Sequence, residues 1–232
     1  MSEAVDPIRL HYLLAMGVQP WALRRPQISA APAEKAVETS SEEEWEQLER
    51  EVSACTACPL YRTRTQAVLG VGDRRADWML IGEAPGEQED LKGEPFVGRA
   101  GQLLNEMLRA MQLSREQVYI TNILKSRPPG NRDPKPEEVA ACEPFLKRQI
   151  ALVKPKIILA VGRISAQSLL RTGASLSRLR GKVHRYEAIP LAVIYHPAYL
   201  LRNPGAKRQA WEDLKLALQV YAAPQGSEPE RQ

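Results

Sequence analysis

The chain has 232 residues, 44% of them hydrophobic and 26% charged, with a formal charge of +4, enough for one large core and for a single compact domain with appendages rather than two full domains. No run approaches the ~20 apolar residues of a membrane span, and the opening MSEAVDPIRL lacks the basic and apolar regions of a signal peptide. A soluble, cytoplasmic and monomeric protein is expected, with no membrane partner.

In chain order, residues 1–44 read as an appendage: a short apolar segment over residues 8–21, then a Pro- and Ala-rich stretch over 26–36 suited to a linker. Ser40 and Ser41 form an N-cap signal ahead of Glu42, Glu43 and Glu44, which favours a helix running toward Cys55. Residues 45–222 then read as the main domain and 223–232 as a disordered tail. Four short apolar runs, over 78–81, 118–121, 157–161 and 191–195, predict buried strands. Helical patterns separate them, the clearest over 99–113, where Leu103, Leu104, Met107, Leu108 and Met111 share one face. Strands alternating with helices imply an α/β fold of three layers, a four-stranded parallel sheet between helices.

Each strand runs into a polar or glycine-bearing segment: Gly82-Glu83, Asn122, Gly162 and Tyr195-His196. In open α/β sheets ligands bind beyond the carboxyl ends of the strands, so Glu83, Asn122 and His196 are expected on one edge. After the first strand, GEAPGEQED makes a tight turn with backbone amides and carboxylates close together, and it lacks the lysine of a phosphate-binding loop. Phe96, one of only two phenylalanines, sits between Pro95 and Val97 in GEPFVG, a fair position for a stacking wall. The Asn122 amide offers a donor and an acceptor side by side. Of three histidines, only His196 stands at a strand end. Between Phe145 and Trp211 there are thirteen Lys and Arg against one acid, Glu187, so that stretch carries +12 while the whole chain carries +4. Such a block suits a surface that neutralises phosphates.

Together GEAPGEQED, GEPFVG, TNILK, KSRPPGNRDP and HPAYLLRNP resemble the family-four, iron–sulfur uracil-DNA glycosylases, over roughly residues 55–220. The resemblance implies uracil-containing DNA as substrate, hydrolysis of the N-glycosidic bond after base flipping, and the uracil-DNA glycosylase fold. It implies that Gly82, Ala84, Pro85, Phe96 and Asn122 bind the base, with Phe96 stacked on its face and Asn122 reading its N3–H and O4 edge. His196 would donate to O2. Glu83 would orient water or stabilise the cationic sugar, with Glu89 as the alternative. Leu200 would wedge into the gap left by the flipped nucleotide, and Arg202, Lys207 and Arg208 would contact phosphates, with Lys125, Arg127 and Arg132 on the other bank. Residues 9–23 are a candidate docking peptide for a replication or repair partner.

Three cysteines, an odd number, argue against a disulfide framework. Cys55 and Cys58 form a C-x-x-C pair, a spacing used by zinc, redox and cluster sites alike. The resemblance implies a 4Fe-4S cluster held by this pair, by Cys142 and by a cysteine where this chain has Ser126. That departure leaves three outcomes open: a cluster with oxygen at one iron, a three-iron cluster, or none. Two other functions also stand against the glycosylase. A catalytically silent DNA-binding module is opposed by the joint presence of Glu83, Asn122 and His196, and a hydrolase of free nucleosides by the +12 block.

Overall fold

The structure, a computed structural model, describes residues 33–223, with side chains from Ser41 onward. Its contacts fall into two units, Met1–Ser40 and Ser41–Gln232, and the sheet and the cleft belong to the second. The candidate docking segment at residues 9–23, most of the expected linker and the tail beyond residue 223 lie outside the described residues.

The expected strands are present as β2 (Trp78–Gly82), β3 (Val118–Asn122), β4 (Ile157–Val161) and β6 (Ile189–Ile194), all parallel to one another. Two antiparallel edge strands extend the sheet to six, β1 (Val71–Gly72) against β3 and β5 (Val183–Tyr186) against β6, in the order β1-β3-β2-β4-β6-β5. The sheet is therefore mixed, with the four-stranded parallel portion at its centre. Side chains of successive strand residues point to opposite faces, which splits the core in two. Met79, Ile81, Ile158 and Val193 face one layer, and Trp78, Leu80, Leu159 and Ile194 the other.

The first face is covered by α1 (Ala33–Ala54), through Trp45, Leu48 and Val52, by α4 (Pro136–Val153) and by α5 (Arg163–Leu170). α1 begins several residues before the N-cap signal at Ser40, because Ala33, Glu34, Lys35 and Ala36 are strong helix formers. The second face is covered by α3 (Arg99–Ala110), α7 (Pro197–Arg202) and α8 (Lys207–Ala222). Two short helices, α2 (Glu87–Lys92) and α6 (Leu176–Leu179), complete the set among the described residues. Each fully buried Leu, Ile or Met of these layers contributes about 1.5–3 kcal/mol, so the sheet holds its strand ends firmly. No helix of the described residues is long and apolar enough to cross a membrane.

Candidate active site

At the carboxyl edge of the sheet a cleft of about 550 Å³ gathers Glu83, Phe96, Asn122 and His196, with Ala84, Pro85 and Glu89 also in its wall. Strand register brings them together. Gly82 is the cross-strand partner of Asn122, and beyond the strand ends the Ile123 and Leu124 amides donate to the carbonyls of Gly82 and Glu83 at 2.9 and 3.0 Å. Gly82 does not line the cleft; its contribution is the space it leaves. A Cβ there would stand 2.3 Å from Asn122 Oδ1 and 2.7 Å from the Phe96 ring, so only glycine lets the amide and the ring sit side by side.

Asn122 is buried, and its Oδ1 is one of two buried side-chain oxygens or nitrogens among the described residues with no hydrogen-bond partner. An orphaned acceptor costs about 1–3 kcal/mol, a cost that a donor arriving in the cleft removes. Phe96 adopts a left-handed backbone (φ 55°), a strained conformation for a bulky residue. Its surroundings impose it. The Arg115 guanidinium donates to the carbonyls of Pro95 and Phe96, and Glu89 Oε1 accepts from the Val97 and Gly98 amides at 2.9 and 3.0 Å. Gly101 allows α3 to press against the Phe96 carbonyl, where a Cβ would meet oxygen at 1.7 Å.

His196 Nδ1 accepts the Ala198 amide at 3.1 Å, which leaves the proton of the neutral ring on Nε2. Burial, reinforced by the charge of Arg202, pushes its pKa down to about 4, so at neutral pH it is an uncharged donor. Its ring lies 5.7 Å from that of Phe96, centroid to centroid. Burial and the neighbouring Asp133 push the Glu83 carboxyl up to about 7, with Arg163 opposing them.

Several expected roles change. Leu200 is not free to wedge: it is buried against the second face of the sheet, with 1% of its surface exposed, because α7 turns that side inward, while Tyr199 (40%) and Leu201 (38%) face out. Lys125 is no part of a phosphate groove. It is buried, and its Nζ donates to Thr121 Oγ1, to the Asn122 carbonyl and to Gln149 Oε1 at 2.7, 2.7 and 2.5 Å. Arg132 lines the cleft but is paired with the buried carboxylate of Glu138, and Arg127 donates to Asn131 Oδ1 at 2.8 Å. Arg202, Lys207 and Arg208 are exposed, Arg202 on the cleft. Asn131, Arg163 and Tyr199 also line it; Asn131 and Tyr199 lie inside quoted motifs and Arg163 directly follows Gly162 at the end of β4, and only the folded chain shows that they turn toward the cleft.

On the far side of the Asn122 loop the cysteines approach one another. Cys142 is buried with Leu60 and Leu124, with Cys58 packed against them, and burial pushes its thiol up while Cys58 and Cys55 lie near enough to add to the shift. Ser126 is buried, and its hydroxyl accepts from Arg64, which also donates to the Ser53 carbonyl, two residues before Cys55. Among the described residues no group of three or more His, Cys, Asp or Glu side chains is arranged to hold a single metal ion.

A strand-end cleft with an aromatic ring, an amide acceptor and an uncharged imidazole donor suits a base-binding hydrolase, and sequence comparison agrees with that class. The Uracil DNA glycosylase superfamily model matches residues 69–215. Type-4 uracil-DNA glycosylases from Archaeoglobus fulgidus and Sulfurisphaera tokodaii are 46% and 43% identical, covering 72% and 77% of this chain and 87% and 86% of their own. That from Thermotoga maritima is 44% identical, over 76% of this chain and 94% of its own. The chain belongs to the type-4 branch of the uracil-DNA glycosylase superfamily.

Proposed function

We infer that this chain excises uracil from DNA in repair, and the observation that carries the inference is the unpartnered Asn122 Oδ1 beside Phe96 and His196 in one cleft. Uracil flipped from the helix lies against the Phe96 ring, its N3–H meets Asn122 Oδ1, and the amide nitrogen donates to O4. As the C1′–N1 bond breaks, its electrons move onto the base, and the negative charge at O2 is met by His196 Nε2–H. A neutral donor is suited to this work, since it keeps its proton and acts as one arm of an oxyanion hole. Ionised Glu83 orients the water that adds to C1′ and offsets the positive charge growing on the sugar. Glu89, whose Oε1 is occupied by two amides, holds the Phe96 loop instead. Arg202, Lys207 and Arg208 contact phosphates, within a glycosylase domain over residues 45–222 of a cytoplasmic protein, and residues 9–23 serve as a tethered docking segment. The test is release of free uracil, read as alkali-labile sites in a uracil-containing oligonucleotide. The His196→Ala, Asn122→Ala double variant should lose activity by at least about a thousandfold. An inactive wild type would overturn the function, and an active double variant the residue assignment.

Cys55, Cys58 and Cys142 hold an iron–sulfur cluster on this reading. What supports it is the donor set: three thiols drawn toward one apolar corner. Ser126 stands where a fourth thiolate would, and a hydroxyl is a far poorer ligand because its proton is far less acidic. Bound, the cluster would tie the segment after α1, which carries Cys55 and Cys58, to Cys142 of α4 and so stabilise the native state alone.

A further inference from the structure

Beside the cleft three side chains are layered. The Arg180 guanidinium carbon lies 3.8 Å from the centroid of the Tyr195 ring, and on Tyr195 the Tyr199 ring is stacked at 5.1 Å with an angle of 11° between planes. Every layer but the last is tied down. Arg180 donates to Asp213 at 2.6 Å and to the Gln209 carbonyl at 2.8 Å, and the Tyr195 hydroxyl donates to Gln209 Oε1 at 2.8 Å. Tyr199 makes the top of the stack; it is 40% exposed and forms part of the cleft wall together with Arg202. A flat ring backed on one side and open on the other, at the mouth of a site that takes a nucleobase, is a stacking platform, and an aromatic face accepts any base. Its rigidity matters, because a ring already fixed by a cation and a second ring loses little freedom when a base lands on it.

We propose that the outer face of Tyr199 is a second base-stacking subsite, which takes a nucleobase flanking the flipped uracil on the same strand. The proposal rests on the uracil-excision reading for the identity of the ligand. It also answers a physical question left by the burial of Leu200: once the uracil leaves the stack, its neighbour needs a new surface to lie on. Tyr199 supplies one without insertion into the duplex, and so serves a single strand as well as a double one.

The test uses short single strands carrying 2′-fluoro-deoxyuridine, which resists cleavage, flanked by adenine on both sides or by an abasic residue on the 5′ or the 3′ side. Dissociation constants from fluorescence anisotropy should show wild-type protein binding the fully flanked strand about tenfold more tightly than one of the abasic forms. Tyr199→Phe should keep that ratio within about twofold. Tyr199→Ala, and Tyr199→Leu, which keeps bulk but lacks a π face, should bring it to about one. A ratio near one in the wild type, or the same ratio in wild type and Tyr199→Leu, overturns the subsite. Uracil release from ordinary deoxyuridine strands is measured in parallel. Neighbour-dependent binding without release would refute the glycosylase reading and keep the subsite, and release with neighbour-blind binding would do the reverse.

Discussion

The uracil cleft and the cysteine corner lie on either side of one loop, yet they are held in place differently. In the cleft, hydrogen bonds from the chain itself hold the Phe96 loop through Arg115 and Glu89, His196 through the Ala198 amide, and the Asn122 backbone through Lys125. In the corner the thiols are brought near by packing, and Arg64 ties Ser126 to the end of α1. On the proposed reading, the difference teaches that the protein holds its candidate base-binding surface through its own hydrogen bonds, whereas the corner gathers its thiols by packing and would be closed by the cluster proposed to bind there. Lys125 reaches both, its ammonium on Asn122 and its charge and backbone amide beside Cys142, and Ala84 lines the cleft while packing against the corner.

The contrast is most severely tested at Gly82. Gly82→Ala drives a methyl into Asn122 and Phe96 and should lower kcat/KM by about a hundredfold or more, with a loss of stability of about 1–3 kcal/mol; near-normal uracil release would show the cleft to be more pliable than described. The pH profile comes next. On the proposed mechanism Glu83 acts as an ionised group, and its pKa lies at about 7, so kcat/KM should fall as pH drops below 7, approaching tenfold per unit, and level off above it. His196, at about 4, stays neutral throughout and adds no limb between pH 5 and 9. In Glu83→Gln the limb near 7 should vanish along with most of the activity, and persistence of the limb would transfer it to another group.

Glu89 separates holding from chemistry. A glutamine oxygen still accepts the Val97 and Gly98 amides, so Glu89→Gln should keep activity within about threefold and leave the pH profile unchanged, while Glu89→Ala should cost about tenfold. A dead Glu89→Gln would return the residue to the reaction itself. The smallest effect on rate belongs to the corner: Ser126→Cys should raise iron and sulfide content in anaerobically purified protein while changing kcat/KM by no more than about twofold. Two iron-free proteins of equal stability would remove the cluster from the account.

The four parallel strands were legible because each is an unbroken apolar run buried on both faces. β1 has two residues, and β5 alternates between exposed and half-buried positions, so neither gives an apolar run. Glu83, Asn122 and His196 could be grouped because strand ends in a parallel sheet share one edge. The positions of Leu200 and Lys125 could not. Which side of a short helix turns inward depends on what lies beneath it, and a lysine beside Arg127 and Arg132 reads as one more surface cation until three oxygens are seen to surround its ammonium. Glu89 read as the alternative to Glu83; its contacts with backbone amides of a loop eight and nine residues on are ones that no side-chain pattern reveals.

The pairing of Gly82 with Asn122, continued by the Ile123 and Leu124 amides, has a consequence for timescale. Exchange of those two amide hydrogens with solvent requires the junction just past the ends of the two central strands to part, so both should be strongly protected. On the uracil-excision reading the Asn122 side of the wall should then open rarely. Gating is expected instead at the DNA or at the exposed residues of the rim, and fast exchange of either amide would show the opposite.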